Sequence, residues 1–362
     1  MEWNGTVISE EHSTNASIIQ NGTRNYGSVY VQEPLGSYIF RLLLYAIIFL
    51  LSLFGNVLVI WIVYRTRELH TVTGYLICNL SVADFGVSLF CVPFTLAYAE
   101  LKVWLFGLAM CKILWAFQTS AIMASVSTLL AISFDRFRSI AYPYEPRISI
   151  SKVKFIIAGV WILSFFVGLP FLIINKVVPY KNGEICVEVW PKVIYRQVYT
   201  VLSFLLTYGL PLPLMAVWYG IVVYKLEKAA DQESDKEGFR VAQAKGKVIR
   251  MLIMVVVAYF TCFLPYHVLM MWAEFGNRSK YGYFWILQSY SVVLVFLNSC
   301  INPMLYYFFS EQFRRGFKKA VCCGRRSEKI PRTRIPKPSK VNFEPTKTTT
   351  QEEYTQISSF WL

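Results

Sequence analysis

Seven long stretches almost free of charge constrain this chain more than any other feature. Six carry no Asp, Glu, Lys or Arg: Leu42–Tyr64, Ile113–Phe134, Phe155–Asn175, Gln197–Tyr224, Met251–Ala273 and Tyr281–Ser310. The seventh, Val72–Ala99, is interrupted by Asp84 alone. As a helix rising about 1.5 Å per residue, each can cross the ~30 Å hydrocarbon core of a bilayer. The expected fold class is therefore an all-α membrane protein, a bundle of seven transmembrane helices. Composition agrees: of 362 residues, 55% are hydrophobic and only 16% charged, too few charges to cover a soluble domain of this size.

Lys and Arg in the connecting segments set the orientation. With the N-terminus outside, the inner segments 65–71, 135–154, 225–250 and 310–321 hold 18 basic residues, and the outer loops 100–112, 176–196 and 274–280 hold 8. The positive-inside rule then places the N-terminus outside. Residues 1–37 are polar, lack the apolar run of a signal peptide, and carry the acceptor triplets that begin at Asn4, Asn15 and Asn21. Glycosylation is expected at all three. The net charge of +14 reads as a topology signal reinforced by a basic tail facing anionic lipid, and nucleic acid is not an expected partner.

Of the cysteines, Cys111 and Cys186 lie on the outer side, where oxidising conditions permit a bridge. Cys322 and Cys323 follow the last span beside Arg314, Arg315, Lys318 and Lys319; membrane-proximal cytosolic thiols of this kind are palmitoylation candidates, with unmodified thiols as the alternative. Over Glu311–Val321, Phe313, Phe317 and Val321 recur at helical spacing opposite the basic residues, which predicts a short amphipathic eighth helix on the inner leaflet. The layout is thus an outer segment (1–37), a helix bundle with its amphipathic helix (38–320), and a disordered cytosolic tail (321–362). The tail is Thr- and Ser-rich, with plausible kinase targets.

Polar residues inside spans are informative because hydrocarbon penalises them. Asp84 is the only acid deep in a span, and Asn56, Asn79, Ser125, Asn298, Ser299 and Asn302 stand at similar depths. Two readings remain open on these residues alone: oxygens around one small hydrated cation, or a protonated Asp84 in a structural hydrogen-bond network. Pro93, Pro170, Pro211, Pro213, Pro265 and Pro303 lie mid-span, where each frees a carbonyl and permits a kink that can widen a cavity or act as a hinge.

Position by position, residues 38–320 resemble the rhodopsin-like (class A) G-protein-coupled receptors. The marks are Gly55-Asn56-Val57, Leu80-Ser81-Val82-Ala83-Asp84, Cys111 with Asp135-Arg136-Phe137, Trp161, Pro211 with Tyr219, Cys262-Phe263-Leu264-Pro265, and Asn302-Pro303-Met304-Leu305-Tyr306. Seven marks occur in order, one per span. The resemblance implies a Cys111–Cys186 bridge that pins the second outer loop to span three. It also implies an allosteric sodium site at Asp84, Ser125, Asn298, Ser299 and Asn302. Asp135 and Arg136 would secure the inner face until a heterotrimeric G protein engages it. Tyr219, Phe263, Pro265, Asn302, Pro303 and Tyr306 would carry the activating movement.

Within that family the chain is similar to receptors for RFamide-type peptides, especially neuropeptide FF receptors, with neuropeptide Y receptors next. The likeness lies in His70-Thr71-Val72-Thr73, in Asp135-Arg136-Phe137-Arg138 followed by Ile140-Ala141-Tyr142-Pro143, in Cys186-Val187-Glu188-Val189-Trp190-Pro191, and in Arg314-Arg315-Gly316-Phe317. It implies a short, C-terminally amidated peptide agonist that contains an arginine. Thr95 and Gln118 would receive the amide, Glu274 the arginine, and Glu188 and Gln288 are further ligand-binding candidates. The bland readings are solvated loop charges for Glu274 and Glu188, and a helix-to-helix hydrogen bond for Gln118. Three residues depart from the pattern: Val292 where a histidine is usual, Phe263 for a tryptophan, and Tyr259 for a phenylalanine.

No nucleophile–base pair or metal cluster suggests an enzyme, and no catalytic cofactor is expected. Phe296 stands where a light sensor needs lysine, and Gln118 where an amine receptor needs aspartate. The leading expectation is a plasma-membrane neuropeptide receptor that acts through G proteins, with receptor kinases and arrestin as partners of the tail. The alternatives are a receptor for a different peptide, an orphan active without ligand, and, from another class, a transporter or channel. The last predicts a repeated half or several ionisable groups along a path, and neither is visible.

Overall fold

The computed structural model describes residues 33–180, 183–232, 236–276 and 283–321, without the side chains of 230–245 and 321. Asn4, Asn15, Asn21, Cys322 and Cys323 lie outside the described residues, as do most of the expected outer segment and tail.

Seven helices are long and apolar enough to cross a membrane: α1 Leu35–Arg65, α2 Val72–Leu101, α3 Gly107–Ala141, α4 Ile150–Ile174, α5 Val193–Ala229, α6 Gly246–Phe275 and α7 Phe284–Phe309. An eighth, α8 Glu311–Val321, follows α7 directly. Several helices outrun the uncharged stretches because hydrogen bonding continues where side chains reach water; α3 carries on through Asp135, Arg136 and Arg138. Thr71 starts α2 by accepting the Gly74 N–H at 3.1 Å.

The bundle is apolar outside and polar inside. Phe54, Phe155 and Ile173 point outward, more than half exposed, as lipid contact requires, while Asn56, Asn79, Asp84, Ser125 and Asn302 are buried. Neighbouring helices supply their partners. Asn56 donates to the Ser299 carbonyl (2.9 Å) and joins α1 to α7. Asn79 donates to Thr128 and accepts from the Trp161 indole, both at 2.9 Å, which ties α2, α3 and α4 together. Small residues let backbones approach: at Gly168 on α4, a Cβ would overlap Ser120 Oγ and the Ala116 carbonyl of α3.

Two features are absent from a helix-only reading. α2 and α5 each contain one π-helical turn, at Val87–Cys91 and Leu205–Gly209, just before Pro93 and Pro211. A wider turn relieves the clash between a proline ring and the carbonyl four residues back. Between α4 and α5, β1 (Asn175–Tyr180) and β2 (Gly183–Glu188) form an antiparallel hairpin with Val177 opposite Cys186. The Cys111–Cys186 disulfide, with Cα atoms 5.7 Å apart, pins β2 to the outer end of α3.

α8 is held against the bundle on its apolar side. Phe313 is buried and packs on Tyr306, with ring centroids 5.3 Å apart. Gly316 lies so close to Ile62 of α1 that any Cβ would collide with it.

Candidate functional site

The end of the bundle that carries the disulfide holds three buried acceptors without donors. Thr95 Oγ1 on α2, Gln118 Oε1 on α3 and Gln288 Oε1 on α7 have no hydrogen-bond partner. Burying such groups unsatisfied costs about 1–3 kcal/mol each, a cost that a ligand able to donate would remove. A helix-to-helix bond through Gln118 Oε1, the bland alternative, is not formed. Val292 packs, partly buried, against the apolar cluster around Trp104, Cys111 and Phe296.

The acids are placed differently from a free-carboxylate reading. The Glu274 side chain is fully buried and accepts from Arg196 Nε through both oxygens, at 2.9 and 3.0 Å. It is therefore no solvated loop charge, and an agonist arginine would meet a carboxylate already paired across α5 and α6. Glu188, at the end of β2, accepts from the Trp190 indole at 3.0 Å. Sequence reasoning missed Arg196 altogether. It missed a second arginine too: Arg41 on α1 is buried and bridges Glu33 and Glu100, both at 2.9 Å. Ser37 and Tyr290 extend that network to α7. An arginine facing acids at neighbouring span ends was the available signal, but sequence alone does not say which ends meet.

Deeper in the bundle, Asp84 is 2% exposed and accepts from Ser299 Oγ at 2.9 Å and Asn302 Nδ2 at 2.8 Å. Ser125 and Asn298 are buried nearby in depth without a hydrogen bond to Asp84. The side-chain carbonyls of Asn298 and Asn302 are buried without donors. One carboxylate with neutral hydroxyl and amide oxygens is a hard-oxygen set, which fits a small hard cation such as sodium.

At the opposite end, Arg136 pairs with its neighbour Asp135 at 3.1 Å and contacts the Thr73 hydroxyl, which itself donates to Asp135 at 2.9 Å. The pair is thus anchored to α2. Tyr219 and Tyr306 are buried nearly completely, and neither hydroxyl has a partner. A hydroxyl buried without a partner in a packed core carries an unmet hydrogen-bonding demand.

Between the two ends lies a link that the sequence did not reveal. Tyr259 on α6 donates to the Thr207 carbonyl in the π turn of α5 at 3.0 Å. In return, Tyr208 on α5 donates to the Phe260 carbonyl of α6 at 3.2 Å. Tyr259, six residues before Pro265, also stacks on Phe263 with centroids 4.4 Å apart. Two of the departures noted above, Tyr259 and Phe263, therefore work as a unit.

Residues 55–306 match the sequence model described as 7 transmembrane receptor (rhodopsin family). Neuropeptide FF receptor 2 of Mus musculus is 33% identical over 314 residues, which span 82% of this chain and 75% of that receptor. The substance-P receptor of Aquarana catesbeiana is 32% identical over 325 residues, 87% of this chain and 78% of the relative. The RYamide receptor of Drosophila melanogaster is 31% identical over 320 residues, 84% of this chain and 68% of the relative. Seven crossing helices, the outer disulfide and these matches together make the chain a member of the rhodopsin family of seven-transmembrane receptors.

Proposed function

We propose that this receptor is a plasma-membrane neuropeptide receptor whose agonist ends in a carboxamide and carries an arginine, and that it signals through heterotrimeric G proteins. The observation that carries the reading is the set of unpartnered oxygens on Thr95, Gln118 and Gln288. The two Gln carbonyls suit the N–H donors of an amide and repel the oxygens of a free carboxylate, and the Thr95 hydroxyl can accept from the same amide. The relatives' names fit: they are receptors for neuropeptide FF, substance P and RYamide. Glu274 receives the agonist's guanidinium in exchange for Arg196, since a carboxylate binds either arginine by the same charge-assisted geometry. Agonist binds the open arrangement more tightly and so shifts the helices toward it, exposing Arg136 to the G protein. Sodium at Asp84 favours the closed arrangement. Receptor kinases and arrestin act on the Thr/Ser-rich tail.

The test is a G-protein activation screen in cells expressing the chain, against amidated RFamide-type peptides and their free-acid forms. Response to the amides alone is expected. Equal response to the acids, or silence with the receptor at the surface, removes the ligand assignment and leaves the receptor family standing.

A further inference from the structure

At the disulfide end of the bundle a single polar chain touches three helices. Arg41 on α1 is 3% exposed and sits between two acids. It donates to Glu33 at 2.9 Å through Nη1, and through Nη2 to both oxygens of Glu100 on α2, at 2.9 and 3.2 Å. The Ser37 hydroxyl donates to the other Glu33 oxygen at 2.7 Å. That uses its one proton, so in the 2.7 Å contact between Ser37 and Tyr290 of α7 the phenol is the donor. The same phenol reaches the Ser37 carbonyl at 3.0 Å. The chain therefore runs from Tyr290 through Ser37, Glu33 and Arg41 to Glu100, and ties α7 to α2 by way of α1.

A buried ionic triad is a poor source of net stability, because desolvating the charges offsets most of their attraction. What it supplies is geometry. The guanidinium fork is planar and fixed, and breaking one arm leaves a carboxylate unpaired, so the elements that carry the partners are held in one arrangement. Those elements also carry two of the unpartnered acceptors. Glu100 stands five residues beyond Thr95 on α2, about 7.5 Å along the axis. Tyr290 stands two residues beyond Gln288 on α7, about 200° around it, so the tie to α1 leaves Gln288 on the far side of the helix. We infer that Arg41 is a positioning residue: through Glu100 and Tyr290 it fixes the separation of the Thr95 and Gln288 acceptors, and so makes the receptor select a primary carboxamide over its N-alkylated forms. The selectivity rests on the carboxamide reading above. A primary amide has two N–H donors, one for each acceptor at a fixed spacing, and an N-methylamide keeps one.

The experiment has two readouts, and the first needs no agonist. Nitroxide labels at Leu101→Cys on α2 and Leu287→Cys on α7, sites 51% and 50% exposed, report the helix separation by double electron–electron resonance. The sample is full-length receptor in nanodiscs, with the disulfide kept and reactive native thiols replaced by serine. Arg41→Gln should broaden and shift the distance distribution. Tyr290→Phe cuts the chain at its other end and leaves no charge unpaired, so it should act alike even where Arg41→Gln fails to fold. Ser164→Ala, which removes a buried hydroxyl bonded to the Val160 carbonyl of its own helix, should change nothing. Unchanged distances in both chain variants overturn the inference. The second readout is the potency ratio of an amidated RFamide-type peptide to its N-methylamide. Native receptor should prefer the primary amide, and both chain variants should lower that preference about fivefold, the worth of one hydrogen bond. A receptor that is merely destabilised loses both potencies alike. Altered distances with an unchanged ratio overturn the selectivity role. Silence of the native receptor at confirmed surface expression removes the carboxamide reading and the selectivity with it, while altered distances would still establish Arg41 as the residue that spaces α2 from α7.

Discussion

Glu274 holds Arg196 through both carboxylate oxygens, so the arginine of the proposed agonist would have to compete with Arg196 for one acid. Glu274→Gln should weaken an arginine-containing amidated agonist by about 1–3 kcal/mol, the worth of a charge-assisted bond. Arg196→Gln should strengthen the same agonist, because the carboxylate is freed. Concentration–response curves for both variants at matched surface expression decide this. If both lose potency alike, the pair is a structural tie between α5 and α6 and not a ligand contact. Asp84 answers to a separate measurement: Asp84→Asn removes the single charge among the buried oxygens near Ser299 and Asn302. Sodium should then no longer lower agonist affinity in membranes, and a persistent sodium effect would place the ion elsewhere.

At the scale of elements, α5 and α6 are joined by two hydrogen bonds of opposite direction, from Tyr259 to Thr207 and from Tyr208 to Phe260. In the proposed activation α6 shifts against α5 as the far end opens, and these bonds would resist that shift. Each is worth roughly 0.5–1.5 kcal/mol net. Tyr259→Phe and Tyr208→Phe, which delete only the hydroxyls, should therefore raise ligand-independent G-protein activation, read at equal surface expression. Unchanged or lower basal activity would show that the bonds survive opening. The hairpin β1–β2 and α3 form a second joined pair, through Cys111–Cys186 and through Asn175 Nδ2, which donates to the Cys111 carbonyl at 3.1 Å. Replacing either cysteine by serine should reduce surface expression or agonist binding to the same extent, and unequal effects would contradict a shared role.

For the whole molecule, cohesion comes from polar contacts and close backbone approach, because lipid and side chains are equally apolar and burial gives no preference for helix over lipid. Trp161, Asn79 and Thr128 form one such contact chain across three helices. Trp161→Phe removes the N–H donor together with the five-membered part of the indole; the lost hydrogen bond alone should cost roughly 0.5–1 kcal/mol. The measurement is the thermal unfolding midpoint in detergent, and an unaltered midpoint would show that Asn79 finds another donor. Arg41, which bridges Glu33 and Glu100 where α1 meets α2, does the same work at the outer end with charges.

The seven spans, the amphipathic α8 and the family were all legible from residue order, and for a common reason. A backbone in hydrocarbon must satisfy its hydrogen bonds within its own helix, so local composition is enough to place a span. Asp84, Asn302 and Cys111 stood out equally early, since a polar or bridging residue in an apolar run declares itself. Which side chains meet is a different matter. The pairing of Arg196 with Glu274 joins residues far apart in sequence, and so does the exchange between Tyr208 and Tyr259. The π turns at Val87–Cys91 and Leu205–Gly209 depend on how the chain accommodates prolines that a pattern can only flag. The close approach of Gly316 on α8 to Ile62 on α1 likewise joins residues far apart in sequence. Those features arise from contacts between helices, whose geometry is set by shape and partner groups across the bundle and not by any run of residues along the chain.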